Sequence, residues 1–211
     1  MTYQQFKSAI INYPLIPYQT LRMMDNSQGF RNQVSRWEHK GYLIKLRKGL
    51  YILNETERKI TPSRFVIAHH MYTPSYISGE SALAFYDMIP ERVYELTSIT
   101  TRKTVLFENA FGVFRYRHLD ISRFSGFVEH RDENGLPFFL AEPEKALVDF
   151  IYLNLSSFHY GDRDVFENSY RFQNLERLRI RRLVRYAALF KSRKLDAIIS
   201  MLQVYVKELK V

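Results

Sequence analysis

One stretch constrains the fold of this chain more than any other: Gly41-Tyr42-Leu43-Ile44-Lys45-Leu46-Arg47-Lys48-Gly49-Leu50-Tyr51-Ile52-Leu53. A glycine at 41 stops a helix, since glycine alone takes a left-handed exit at no steric cost. The apolar run from Leu43 to Leu46 reads as a strand, and Leu50 to Leu53 as the strand returning beside it. Between them Arg47-Lys48-Gly49 makes a turn, with Gly49 supplying the positive φ that tight turns require. A helix that delivers the chain into a short basic hairpin is how a winged helix ends. In that arrangement Leu43 and Tyr51 pack on the helices, while Lys45, Arg47 and Lys48 project toward phosphates.

The residues upstream supply the helices. Thr2 suits the N-cap of a helix whose apolar residues Tyr3, Phe6 and Ile10 share one face. Asn12 to Pro14 breaks it. Pro17 then stands where a helix takes its first residue, ahead of Tyr18 to Met24, with Leu21 and Met24 inward. After a turn at Asp25-Asn26-Ser27, residues 28–40 place Phe30, Val34 and Trp37 at i, i+4 and i+7, a buried stripe. Asn32, Ser35, Arg36 and His39 share the opposite face, flanked by Arg31. Asn and Arg can grip adenine and guanine edges bidentately in a major groove. Three short helices and a basic hairpin make residues 1–53 a winged helix-turn-helix DNA-binding domain on this reading.

The charge distribution agrees with a polyanionic partner. The net charge is +9, but it is segregated. Residues 1–53 carry eight Lys/Arg against Asp25 and Glu38, residues 54–170 carry 12 against 17 acids, and residues 171–211 carry 11 against three. Two basic ends flank an acidic middle. The chain has no cysteine, which excludes disulfides and thiolate metal sites. No apolar run approaches the ~18 residues of a membrane helix. Met1 to Lys7 is polar, unlike a signal peptide. The expectation is a cytoplasmic protein with no membrane contact.

Residues 54–62 are polar, charged and end in Pro62, so they read as a linker. Beyond it, residues 63–211 read as one α+β domain. Ser63 caps a helix to Tyr72, and Ser78 to Tyr86 forms another. Val93–Thr101, Thr104–Phe107, Phe111–Leu119, Gly126–His130 and Pro137–Ala141 are rich in β-formers and separated by hairpin-type turns, giving a small, mostly antiparallel sheet of about four or five strands. Pro143 opens a strong helix to Leu153. The C-terminal part adds two helices. In the first, Leu175 to Leu189, the residues Ile180, Leu183, Val184, Ala187 and Ala188 face inward, while Arg177, Arg181 and Arg185 lie one turn apart on another face. Together with Arg115 and Arg117, which alternate with Phe114 and Tyr116, these arginines form a candidate second nucleic-acid surface.

Several segments occur in a characteristic order: Ser75-Tyr76-Ile77-Ser78, Ser81-Ala82-Leu83, Ile89-Pro90-Glu91, Thr100-Thr101, Phe114 to Leu119, and Ala141-Glu142-Pro143-Glu144-Lys145-Ala146-Leu147-Val148-Asp149. With Gly41-Tyr42-Leu43 and Arg47-Lys48-Gly49-Leu50-Tyr51, this set resembles the AbiEi-type antitoxins of bacterial type IV toxin–antitoxin systems, over roughly residues 1–155. Tyr86-Asp87 stands where that family carries a His-Gly-like pair, and the tail after residue 155 departs from it. The resemblance implies a transcriptional repressor that binds operator repeats of its own operon through its N-terminal domain. It also implies that the remainder counteracts a neighbouring nucleotidyltransferase-like toxin without a tight complex.

No catalytic constellation stands out. His69-His70 are adjacent, which sets them on different sides of a helix rather than on a two-His metal face. Gly161-Asp162-Arg163-Asp164 lacks a third carboxylate at useful spacing. Glycine-rich phosphate loops are missing, and Ser78-Gly79-Glu80-Ser81 has no partner base. Neither an enzyme, a cofactor nor a metal is expected. Two other readings stay open: an RNA-binding protein working through the strand with Tyr116 and the arginine-rich helix, and an interaction module whose acidic middle binds a neighbouring toxin.

Overall fold

The computed structural model describes residues 1–209. Its N-terminal part runs α1 (Tyr3–Ile10), β1 (Ile16–Pro17), α2 (Tyr18–Met24), α3 (Gln28–His39), β2 (Leu43–Arg47) and β3 (Leu50–Leu53). Thr2 and Gln5 cap α1 reciprocally, each side chain accepting the other's backbone N–H. The Ser27 hydroxyl caps α3 by accepting the N–H of Phe30. Gly41 and Gly49 both adopt positive φ, at 72° and 83°, where the chain leaves α3 and where it turns between β2 and β3. Ile16 and Pro17 add a third strand beside β3, in the order β1-β3-β2. Sequence reading missed this strand because two residues carry no periodicity.

The small sheet is buried on both faces, and this decides where its charges point. Leu43 pairs with Leu53, Ile44 with Ile52 and Lys45 with Tyr51, followed by an irregularity before Arg47 pairs with Leu50. Leu43 and Leu53, with Tyr51 at the margin, close over Phe6, Ile10, Leu21, Phe30, Val34 and Trp37. The other face, Leu46, Leu50 and Ile52, belongs to a second and larger core that includes Val66, Ile67 and Met71. Residues 54–62 are fastened at several points. Glu57 pairs with Lys7 at 2.5 Å. It also accepts the Tyr3 hydroxyl, and the Arg58 guanidinium lies 5.5 Å from the centre of the Phe111 ring.

The larger core is mixed α+β. Its strands are β4 (Ser75–Ile77), β5 (Glu95–Thr100), β6 (Val105–Asn109), β7 (Gly112–His118), β8 (Phe127–Arg131) and β9 (Pro137–Ala141), in the order β6-β7-β5-β4-β9-β8. The β4–β9 and β5–β7 pairs are parallel and the other three antiparallel. The expected four or five strands thus become six in a mixed sheet. The overlooked strand is β4, whose three residues are all buried and so show no alternation. Helices α4 (Arg64–Met71), α5 (Gly79–Phe85), α6 (Pro143–Leu153), α7 (Ile180–Ala188) and α8 (Arg193–Glu208) complete it. The Ser63 hydroxyl caps α4 through the N–H of Val66. Among the described residues, no helix is long and apolar enough to cross a membrane.

The helix expected from Leu175 to Leu189 is broken. A 3-10 turn covers Leu175–Arg177, and Leu178 and Arg179 are extended before α7 begins. Two interactions fix the break: Leu178 is buried in the core, and the Glu144 carboxylate accepts the N–H of Arg179 at 2.8 Å. The inward face of α7 also differs. Leu183, Tyr186 and Ala187 are buried, while Val184 is 41% exposed and Ala188 is exposed too. The Tyr186 hydroxyl donates to the Glu142 carboxylate and so draws its ring inward.

Candidate nucleic-acid interface

Burial of Phe30, Val34 and Trp37 turns the rest of α3 outward. Arg31, Asn32, Ser35, Arg36 and His39 are all exposed. Their mutual contacts are local. The Arg31 guanidinium donates to the Asn26 backbone and side-chain oxygens at 3.2 Å, and Arg36 Nε reaches the Asn32 carbonyl at 3.4 Å. His39 Nδ1 lies 2.7 Å from the Ser35 carbonyl. The Asn32 amide oxygen accepts from Gln28 Nε2 at 3.2 Å, and the Asn32 and Arg36 side chains stay exposed on one side of the helix, a turn apart.

On its other flank α3 borders a cleft of about 420 Å³ with α2 and the β2–β3 hairpin. Arg31 and Ser35 line it from α3, Lys45 and Lys48 from the hairpin, and Arg22 from α2, against the carboxylates Asp25 and Glu38. Arg22 is the residue sequence reading missed. Its signal was available: it follows the buried Leu21 on a helix lying next to α3. Hydrogen bonds from the backbone and side chain of Ser27 hold Asp25 below the ordinary carboxylate range, so it stays ionised. Burial, aided by Glu38, raises the Tyr51 phenol, which keeps its proton as a donor facing the cleft. Lys45 is exposed but spends part of its charge on Glu38, 3.3 Å away.

Arg47 does not join this group. It pairs with Leu50, on the face of the sheet turned toward the larger core, and it lines a different recess with Val66, His70 and Leu136. Its Nη1 donates to the Lys48 carbonyl at 3.0 Å, and its Nε is buried. The hairpin is clamped there as well, since Asn109 Nδ2 donates to the Leu46 carbonyl at 3.0 Å. The expectation that Arg47 projects toward phosphates is thus corrected: the irregularity after Lys45 swings it away from Lys45 and Lys48.

The candidate second surface is divided. Arg115 is neutralised by a two-pronged pair with Glu95, its Nη2 at 2.8 Å from one carboxylate oxygen. Arg117 is half-buried on the same strand. Tyr116 is fully buried and donates to the Ala68 carbonyl at 2.6 Å, so its ring cannot stack on a base. Arg177 sits on the 3-10 turn rather than on α7, because the chain breaks at Leu178. Arg181 and Arg185 are exposed one turn apart on α7, as the spacing predicted.

One constellation escaped sequence reading altogether. On α6, Lys145 and Asp149 form an ion pair four residues apart, with both side chains 0% exposed. The Tyr76 and Ser78 hydroxyls donate to the other Asp149 oxygen at 2.9 and 2.8 Å, and Lys145 Nζ donates to the Tyr76 hydroxyl at 2.9 Å. Burial pushes the Lys145 pKa down and the Asp149 pKa up, against their mutual attraction. The group ties α6 to β4 and is closed to solvent. The His69 and His70 rings, expected on different sides of α4, touch edge to face at 5.0 Å. Burial lowers both of their pKa values. Among the described residues, no three His, Cys, Asp or Glu side chains are placed to hold a metal.

No family model matches the chain, and no curated protein does either.

Proposed function

We propose that the chain is a sequence-specific DNA-binding repressor of the AbiEi-like class, acting in the cytoplasm as the antitoxin of a type IV toxin–antitoxin system and regulating its own operon. In this reading residues 1–53 are a winged helix-turn-helix. The α3 helix enters the major groove, where Asn32 and Arg36 read base edges, with Ser35 and His39 beside them. Lys48, Arg22 and Arg31 hold flanking phosphates, and Lys45 joins them once it leaves Glu38. The observation that carries the reading is the outward face of α3. Its Asn and Arg heads are free of acidic partners, and it stands beside a cleft with four cations against two carboxylates. The antitoxin role rests on the ordered sequence segments from Ser75 to Asp149. The genetic partner would be a nucleotidyltransferase-like toxin, and no catalytic activity is assigned to this chain.

A mobility-shift assay at moderate salt tests the reading. The protein should retard DNA from immediately upstream of its own gene in preference to random duplex of equal length. Equal retardation of both would sink the repressor claim. The RNA-binding reading loses its stacking platform, because Tyr116 is buried.

A further inference from the structure

We propose that the exposed cations from Arg177 to Arg193 form a second contact, to the phosphate backbone of duplex DNA, without reading sequence. This rests on the repressor reading for its choice of duplex. The outer stripe of α7 is Arg181, Val184, Arg185 and Ala188, all exposed. Arg177 and Arg179 precede it, and Lys191 and Arg193 follow it, all likewise exposed.

Among the described residues, one arginine of this segment makes a close ion pair, while Arg185 lies over the Tyr186 ring at 5.1 Å and reaches its hydroxyl at 3.4 Å, a weaker hold on an exposed side chain. Arg182 meets the Glu142 carboxylate at the edge of the core. Arg177, by contrast, is 73% exposed, with Glu176 no closer than 3.7 Å. From Arg177 to Leu195 the sequence holds no Asp or Glu. Like charges a turn apart repel one another on a helix. Arg181 at the start of α7, a turn that carries no acid of its own, also opposes the positive end of that helix dipole, whereas in the first turn of α8 Asp196 offsets Arg193 and Lys194. The repulsion among Arg177, Arg181 and Arg185 therefore counts against local stability, and a bound polyanion would relieve it.

The chemistry of the surface narrows the polyanion. The apolar side of α7, Leu183, Tyr186 and Ala187, is buried in the core, so the helix cannot lie in a membrane interface. Proteins that hold single strands stack bases on exposed rings, but Tyr186 and Phe190 are buried. A row of cations without rings suits a duplex backbone, which asks only for charge.

The test compares the full chain with Arg181→Gln/Arg185→Gln/Arg193→Gln, and with Arg181→Lys/Arg185→Lys/Arg193→Lys as a charge-retaining control. Binding to the gene's own upstream duplex and to random duplex is measured across a salt series. Each lost phosphate contact removes about 0.9 from the slope of log K against log salt, so the glutamine variant should lose about 2 to 3 on both duplexes while the lysine variant keeps its slope. An unaltered slope in a glutamine variant of unchanged circular dichroism overturns the proposal. So does tighter wild-type binding to single-stranded RNA, or to anionic lipid vesicles, than to duplex. If wild type shows no preference for its own upstream sequence, the repressor reading fails, yet the slope on random duplex still decides this surface.

Discussion

Replacing Lys145 with methionine strands Asp149 in a site where both side chains were 0% exposed. Removing one partner of a buried pair costs about 3–5 kcal/mol. The lower end applies here. Asp149 keeps two hydroxyl donors, Tyr76 at 2.9 Å and Ser78 at 2.8 Å, and burial already raises its pKa, so it can take up a proton. A loss of about 3 kcal/mol corresponds to a fall in Tm of about 6–12 °C for a chain of this size. Asp149→Leu alone should cost at least as much, because it leaves the Lys145 ammonium with the Tyr76 hydroxyl and the Phe190 ring face, 5.1 Å away. The double variant Lys145→Met/Asp149→Leu removes both charges. It should be less destabilised than the two singles added together, by about 2 kcal/mol, with the residue of the cost coming from the stranded Tyr76 and Ser78 hydroxyls. Urea denaturation followed by far-ultraviolet circular dichroism reads all three. A Lys145→Met loss below about 1 kcal/mol, or additive singles, would refute the reasoning that the two charges depend on each other in a dry site.

Arg47→Gln should leave the salt dependence of DNA binding at its wild-type value while lowering thermal stability, since the side chain faces the larger core; a slope reduced by about 0.9 in a salt series would contradict that placement. Asp132 gives a pH prediction. Burial alone would raise its pKa, but backbone N–H groups of Ser63, Leu136 and Asn134, at 2.9–3.0 Å, outweigh burial and lower it. A depressed carboxylate contributes stability that is fully present above its ordinary value of 3.8 and is lost as pH falls through the folded value. Acid unfolding monitored by circular dichroism should therefore be shallower in Asp132→Asn than in wild type below that pH, and parallel curves would count against it.

The legible parts of this chain were those with periodic burial. Phe30, Val34 and Trp37 marked α3 and its open face because a helix with one buried stripe exposes the rest. The hairpin at Gly49 was legible from its turn chemistry, and β9 matched residue for residue. What failed was decided by contacts distant in sequence. Arg47 looked like its neighbours Lys45 and Lys48 until a strand irregularity and a second core turned it away. The 175–189 helix had unbroken periodicity, but the Glu144 carboxylate, far along the chain, takes the N–H of Arg179 and restarts the helix there. The Lys145–Asp149 pair had helical spacing in the sequence, yet nothing local told that both charges would be dry.

The central claim is that α3 reads bases while the hairpin holds phosphates. It is tested most directly by the ratio of affinities for the gene's own upstream DNA and for random duplex at one salt concentration. That ratio is compared between wild type, Asn32→Ala/Arg36→Ala and Lys48→Gln. Each lost bidentate contact is worth about 1–3 kcal/mol of discrimination, so the α3 variant should lose tenfold or more of the ratio. Lys48→Gln should weaken both duplexes alike and leave the ratio unchanged. A ratio that survives the loss of Asn32 and Arg36, or that collapses with Lys48 alone, would contradict the account.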